Sequence, residues 1–231
     1  GFDSHLKTVM DFPVEEAIRQ ALENDGNGWG NGLTRVYDAM AMDYLYADVN
    51  NIMIMLGNHD MDRIADVVKD QDPRRVKLAN VLLATMRGIP QVFYGDEYGM
   101  KSADRSLGHS TLRMPLPLGE QVTPEQKEMF DFQSRLFQWR KGEKVIHTGK
   151  TMHFMSRDNT YAYFRYNDTE AVFVFANASE DSRTIPTAHY AEILSLYNPV
   201  GVDILTGETV DLSKTNIKVQ PLSTLVVKLT K

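Results

Sequence analysis

Residues Ile52-Met53-Ile54-Met55-Leu56-Gly57-Asn58-His59-Asp60-Met61-Asp62-Arg63 decide how this chain is read. Five consecutive apolar side chains without alternation describe a strand buried on both faces, as in a parallel sheet covered by helices. The run stops at Gly57, and the residues after it supply an amide, an imidazole, two carboxylates and a guanidinium. Polar side chains gathered beyond the carboxyl end of a buried strand are where α/β proteins place their sites. On the residues alone, three readings of this turn stand side by side. It is a binding or catalytic cluster, or a strand-end turn in which Asn58 and Asp60 cap the backbone, or a metal site on His59 and Asp60. A single local histidine supports the last of these poorly.

The same pattern recurs on either side. Ile89 to Tyr94 predicts another strand, ending at Gly95-Asp96-Glu97. Asp96 and Glu97 are not assigned as a second catalytic pair, because adjacent side chains point apart. Upstream, Thr8 to Phe12 predicts a short strand that stops at Pro13. Helical spacing occurs over Val14 to Leu22, Leu33 to Tyr46, Val76 to Met86 and Pro124 to Arg140. The resulting β-α-β-α-β-α order predicts parallel strands with crossover helices, in an open doubly wound sheet or part of a closed barrel. Asn24 to Gly32 carries glycine at alternate positions, but it follows a helix rather than a strand. It therefore reads as a surface loop and not as a phosphate cradle.

From Val145 the period changes to two. Tyr161 to Tyr166 and Ala171 to Phe175, joined by Asn167-Asp168, predict a hairpin. Tyr190 to Leu196, Val202 to Leu205 and Leu222 to Leu229 are expected as further strands of an antiparallel β-sandwich. The expected domains are residues 1–144, α/β, and 145–231, all-β, the second serving chiefly to pack against the first. Asn167-Asp168-Thr169 and Asn177-Ala178-Ser179 match glycosylation acceptors only as three-residue patterns and are set aside.

Composition narrows the function. Lys and Arg number 25 against 31 Asp and Glu, a net charge of −6, so no basic face for nucleic acid is expected. Apolar runs such as Val81 to Met86 are too short to span a bilayer, and no membrane partner is expected. The absence of cysteine removes disulfides, thiolate metal sites and cysteine nucleophiles. The twelve methionines read as adaptable core filler.

With Arg87-Gly88-Ile89-Pro90-Gln91-Val92-Phe93-Tyr94-Gly95-Asp96-Glu97-Tyr98-Gly99-Met100 following it, Gly57 to Arg63 resembles the last two barrel strands of the α-amylase family, glycoside hydrolase family 13. The Asn58-His59-Asp60 triplet is similar to that family's signature after strand seven. Val9-Met10-Asp11-Phe12-Pro13 resembles strand six of its neopullulanase and cyclomaltodextrinase branch. The resemblance implies the carboxyl-terminal portion of a (β/α)8 TIM barrel, about strands six to eight, followed by the sandwich that the branch carries.

It also implies the roles. The family's nucleophile, an aspartate in a motif resembling Gly-Phe-Arg-x-Asp after strand four, and its acid/base glutamate after strand five have no counterparts in this sequence. The chain, which begins at Gly1-Phe2-Asp3, is accordingly expected to lack the amino-terminal part of the barrel and to be inactive alone. Asp60 corresponds to the third carboxylate, the transition-state stabiliser that binds sugar hydroxyls. His59 corresponds to a hydrogen-bond donor to the same sugar, and Asn58 to the residue that orients the pair. Arg63 is considered for subsite contact, against a surface ion pair with Asp62 or Asp66. Arg113, in His109-Ser110-Thr111-Leu112-Arg113-Met114-Pro115, is considered for contact with sugars on the nonreducing side, although the branch's acidic approach to that arginine is missing.

The implied partners are α-glucan oligosaccharides such as maltooligosaccharides, pullulan or cyclomaltodextrins. No cofactor is expected and no metal, because the calcium sites of relatives involve other segments. A bacterial periplasmic or cytoplasmic setting suits the branch. The alternative function is a noncatalytic carbohydrate-binding or assembly module. A third reading, an unrelated open α/β enzyme, requires a strand order other than that of barrel neighbours. Because barrel strands with unpaired edges invite pairing with another chain, the isolated chain is expected to self-associate or to be ordered mainly in its sandwich. Sedimentation and thermal unfolding test this, and a monodisperse monomer that unfolds cooperatively as a whole would contradict it.

Overall fold

The computed structural model describes residues 6–24, 26 and 28–231. Gly1-Phe2-Asp3, and Asp25 and Asn27 of the glycine-bearing loop, lie outside the described residues. The first part contains α1 (Phe12–Glu23), α2 (Thr34–Ala41), β1 (Met53–Met55), α3 (Ile64–Val67), α4 (Pro73–Thr85), β2 (Ile89–Gln91), α5 (Pro124–Gly142) and α6 (Lys144–Thr148). Three helices start in the same way. Asp11, Asp72 and Thr123 cap the first backbone N–H groups of α1, α4 and α5, and Pro13, Pro73 and Pro124 occupy the first turn, where no N–H is needed.

β1 and β2 pair in parallel, Met53 opposite Ile89. The expected strand at Thr8 to Phe12 shrinks to one parallel bridge, Met10 to Met53. The capping aspartate at Asp11 and the proline two residues on turn the chain into α1 at once. The three parallel segments therefore lie side by side in sequence order, each leading to a helix. That is the order of neighbouring strands, not the one the unrelated-enzyme reading requires. Among the described residues, the outer edges of Val9–Met10 and of β2 have no strand partner, and Ile89 is 48% exposed there.

The second part is built on one antiparallel sheet in the order β3-β4-β5-β10-β7-β8. Its strands are β3 (Lys150–Arg157), β4 (Thr160–Tyr166), β5 (Glu170–Asn177), β7 (Val200–Asp203), β8 (Thr209–Asp211) and β10 (Ser223–Thr230). A two-stranded sheet, β6 (Arg183–Ile185) with β9 (Ile217–Val219), completes the unit. The period of two sorts the side chains. Tyr161, Tyr163, Val172, Val174 and Val226 face the helices, while Ala162, Phe164, Phe173, Phe175 and Val227 face β6, β9 and the short helix α7 (Ala191–Leu194). Both faces are thus buried, and the partner layer is much smaller than an evenly divided sandwich would have.

Tyr190 to Leu196, expected as a strand, is a 3-10 turn running into α7. Tyr190, Ile193, Leu194 and Tyr197 recur at helical spacing and all enter the second core. Val92 to Tyr94 leave the sheet because the Tyr94 carbonyl is turned toward Arg63. Asn177 is fully buried, with its amide donating to the carbonyls of Asp181 and Gln220.

Buried polar contacts join the layers. Arg140 of α5 donates to the carbonyls of Ala84, Met86 and Gly88, satisfying the carboxyl end of α4. Thr85 shares a hydrogen bond with Tyr163 of the sheet. Arg165, fully buried in β4, reaches Thr151, Asn50 and the Ile146 carbonyl. Arg87 binds Asp11 and Asp43, tying the end of α4 to the cap of α1. No helix among the described residues is long and apolar enough to cross a membrane.

Glu15 stands outside this network. It is buried in the first turn of α1, and one of its carboxylate oxygens has no partner. Burial pushes its pKa up to about 7, against Arg19. A carboxyl raised in the folded state stabilises the fold most below its unfolded value and loses that contribution as pH rises through the folded one. Between pH 4.5 and 7 the native chain should therefore lose up to about 3 kcal/mol relative to Glu15→Gln. Denaturant unfolding of both proteins across this range tests the point, and parallel stability curves would contradict it.

Candidate active site

Beyond β1 the chain makes a tight polar turn. The Asn58 side-chain oxygen accepts the Asp60 N–H at 2.8 Å, an Asx turn that fixes where the Asp60 carboxylate projects. One carboxylate oxygen of Asp60 lies 3.2 Å from His59 Nε2, and the other accepts from Arg113 Nη2 at 3.2 Å. The structure thus brings together Asn58, His59, Asp60 and Arg113, although Arg113 is distant in sequence. The cluster is open, with the His59 and Asp60 side chains 59% and 62% exposed.

Arg63 lies elsewhere than expected. It does not form a surface pair with Asp62 or Asp66, and its guanidinium is buried away from any position where it could touch a sugar. Nη1 donates to Asp96 Oδ1 at 2.8 Å and to the Tyr94 carbonyl at 2.9 Å, and Nη2 donates to the Leu112 carbonyl at 2.7 Å. The Phe93 ring lies against its face, 4.5 Å from centroid to guanidinium carbon. Gly95 makes room for it. The residue has a φ of +91°, and a Cβ there would lie 2.6 Å from the Met100 sulfur and 3.2 Å from Arg63 Nη1.

Asp96 is accordingly structural. Burial raises its pKa, and the charge and hydrogen bond of Arg63 oppose the rise. Asp66 accepts from the backbone and hydroxyl of Ser102, and Asp62 pairs with Arg105 at 2.5 Å. The segment from Gly95 to Arg113 is therefore strapped over the turn at successive points, and its last strap, Arg63 to the Leu112 carbonyl, immediately precedes Arg113. Sequence reasoning missed Arg63 as the organiser and Ser102 and Arg105 as straps. The only signal available was that Arg63 directly precedes an apolar helical turn, which favours burial. No group of three or more histidine, aspartate or glutamate side chains able to hold a metal occurs among the described residues.

Replacing Arg63 with leucine leaves Asp96 and two carbonyls buried without their donor. We expect a loss of roughly 3–5 kcal/mol in denaturant unfolding, with faster proteolysis between Gly95 and Arg113. A loss below about 1 kcal/mol, with unchanged proteolysis, would contradict the organising role of Arg63.

The Alpha amylase catalytic domain profile matches residues 3–184, and the Cyclo-malto-dextrinase C-terminal domain profile matches residues 151–228. The cyclomaltodextrin glucanotransferase of Geobacillus stearothermophilus is 24% identical over 213 residues, covering 89% of this chain and 27% of the relative. The alpha-amylase of Niallia circulans is 26% identical over 196 residues, covering 81% and 35%. Among solved structures, AmyP in complex with maltose superposes with a TM-score of 0.78 at 19% identity, over 99% of this chain and 51% of that one. The chain thus spans about a quarter to a third of these curated relatives and half of the structural neighbour. Its helices, short parallel strands and carboxyl-terminal antiparallel sheet share the fold of that neighbour, and the chain belongs to the alpha-amylase family.

Proposed function

We propose that this chain contributes the carboxyl-terminal part, about strands six to eight of the barrel (residues 1–144) and the β-rich domain (145–231), of a retaining glycoside hydrolase or transglycosylase acting on α-glucans. The observation that carries this reading is the state of Asp60. Both its oxygens and its backbone N–H are engaged by His59, Arg113 and Asn58, yet its side chain stays 62% exposed. A carboxylate held in one orientation but left open is suited to binding a ligand's hydroxyl groups.

Retaining hydrolysis passes through an oxocarbenium-like transition state between a nucleophilic carboxylate and a proton donor. Asp60 takes neither role. It accepts hydrogen bonds from ring hydroxyls of the sugar being cleaved and favours the distorted ring, and its negative charge helps to keep a neighbouring general acid protonated. His59 donates to the same sugar, Arg113 holds Asp60 and borders the nonreducing side, and Asn58 orients the turn. Arg63 acts through Asp96 and the Leu112 carbonyl as a positioning residue.

The nucleophile and general acid are supplied by a preceding part of the barrel, which pairs with the open edges at Val9–Met10 and β2. The partial coverage of the relatives and the absence of their nucleophile motif from the sequence support this. In its absence, the same edges favour association between copies of the chain.

The test is release of reducing ends from maltooligosaccharides and cyclomaltodextrins. The 231-residue chain alone should give none, and joining it to an amino-terminal barrel half carrying the two missing carboxylates should restore turnover. Turnover by the chain alone would overturn the division of labour. Saccharide binding with no turnover in either form would favour the noncatalytic carbohydrate-binding module.

A further inference from the structure

Arg113 reaches Asp60 from a turn with a construction of its own. The ion pair is long, at 3.2 Å, and open to solvent, with the Arg113 side chain 46% exposed. An exposed pair of this kind holds a long, flexible side chain weakly. A second contact therefore matters. Arg113 Nη1 donates to the His109 carbonyl at 3.1 Å while Nη2 donates to Asp60, so two nitrogens of one planar guanidinium are fixed at once. The direction of Arg113 thus depends on where the backbone puts the His109 carbonyl.

Residues Arg105–Leu112 form a run of 3-10 turns broken at Gly108, whose φ of +71° and ψ of −158° belong to a region that only glycine occupies readily. Space does not explain the glycine, since a Cβ there would meet nothing within 4 Å. The backbone reversal does, and His109 follows it directly. Asp104 starts the run, its side chain accepting from the Ser106 N–H and hydroxyl at 2.9 and 2.6 Å. Thr111 closes it. Its hydroxyl lies 3.0 Å from the Asp104 carbonyl and 3.0 Å from the Gly108 carbonyl, and shares its one hydrogen between them. Residues 103–110 are all exposed, whereas Thr111 is only 8% exposed.

The next two residues carry the anchors already described: the Leu112 carbonyl accepts from the buried Arg63, and Arg113 pairs with Asp60. Arg63 holds the backbone at Leu112, and the turn from Asp104 to Thr111 decides where the His109 carbonyl sits behind Arg113. We propose that Thr111 is a positioning residue for the reaction: its hydroxyl pins the kink at Gly108, the kink sets the His109 carbonyl, and that carbonyl holds Arg113 on Asp60. Thr111 itself touches no sugar. The stretch before Arg113 is where the sequence departs from the branch it resembles, so the device belongs to this chain's own residues. Its consequence for the reaction rests on the reading of Asp60 given above, while the contacts do not. A carboxylate that must meet a distorted ring in one orientation loses effect when the group behind it swings free.

Steady-state kinetics on maltooligosaccharides, in the protein that contains both halves of the barrel, tests this. Thr111→Val keeps the shape and removes the hydroxyl, and kcat should fall roughly tenfold with little change in KM. Thr111→Ser keeps the hydroxyl and should restore kcat. Gly108→Ala, which crowds nothing, should lower kcat in the same way, so the outcome does not hang on how one variant folds. With Arg113 already replaced by alanine, Thr111→Val should cost nothing further. An equal loss with and without Arg113 would overturn the positioning role as a purely structural effect. Unchanged kcat in both Thr111→Val and Gly108→Ala would overturn it too, and would leave the reading of Asp60 standing. No turnover by the parent protein would overturn both.

Discussion

The buried guanidinium of Arg63 links three pieces of chain that the sequence keeps apart: the turn after β1, the turn after β2 and the segment that ends at Arg113. A charge placed there needs compensation, and Asp96, two carbonyls and an aromatic face supply it. Breaking such a set is costly because what remains is buried and unpaired. The exposed groups around Asp60 inherit their positions from this hidden one. Gly95 is part of the same constraint, since only a residue without a Cβ leaves room for Arg63 at a positive φ.

A second level of organisation holds the short parallel strands in place. β1 and β2 are only three residues long and have few ladder bonds of their own. Their support comes from α4 and α5, from Arg140 closing the end of α4, and from the antiparallel sheet whose Tyr163 and Arg165 reach back into the helical part. The sheet is buried on both faces. One face is a platform for the helices, and the other carries the smaller β6–β9 layer. The second part thus steadies the first.

Much of this was legible in the sequence. The unbroken apolar run at Ile52 to Leu56, the helical spacing over Val14 to Leu22, Val76 to Met86 and Pro124 to Arg140, and the two-residue period at Tyr161 to Phe175 each reflect a local rule that tertiary packing did not override. The segment at Tyr190 was misread because its apolar residues satisfy a strand's demand for hydrophobicity, while their spacing of three and four is helical. The ends of the parallel strands were overextended for a different reason. Carbonyls such as that of Tyr94 are drawn out of the ladder by a partner far away in sequence. Asn58, His59 and Asp60 could be singled out because adjacency put them in one turn. The burial of Arg63 and the approach of Arg113 to Asp60 depend on how the segment from Gly95 folds back, which no local pattern encodes.

We propose that Asp60 acts on the transition state from a position fixed by its neighbours and is neither nucleophile nor proton donor. Steady-state kinetics of Asp60→Asn in the protein that contains both halves of the barrel addresses it most directly. Asparagine keeps the shape and the Asx turn but removes the charge. In Asp60→Asn, kcat should fall by about a hundredfold or more while KM changes little, as when one preorganised transition-state contact is removed. An unchanged kcat, or a change confined to KM, would contradict it.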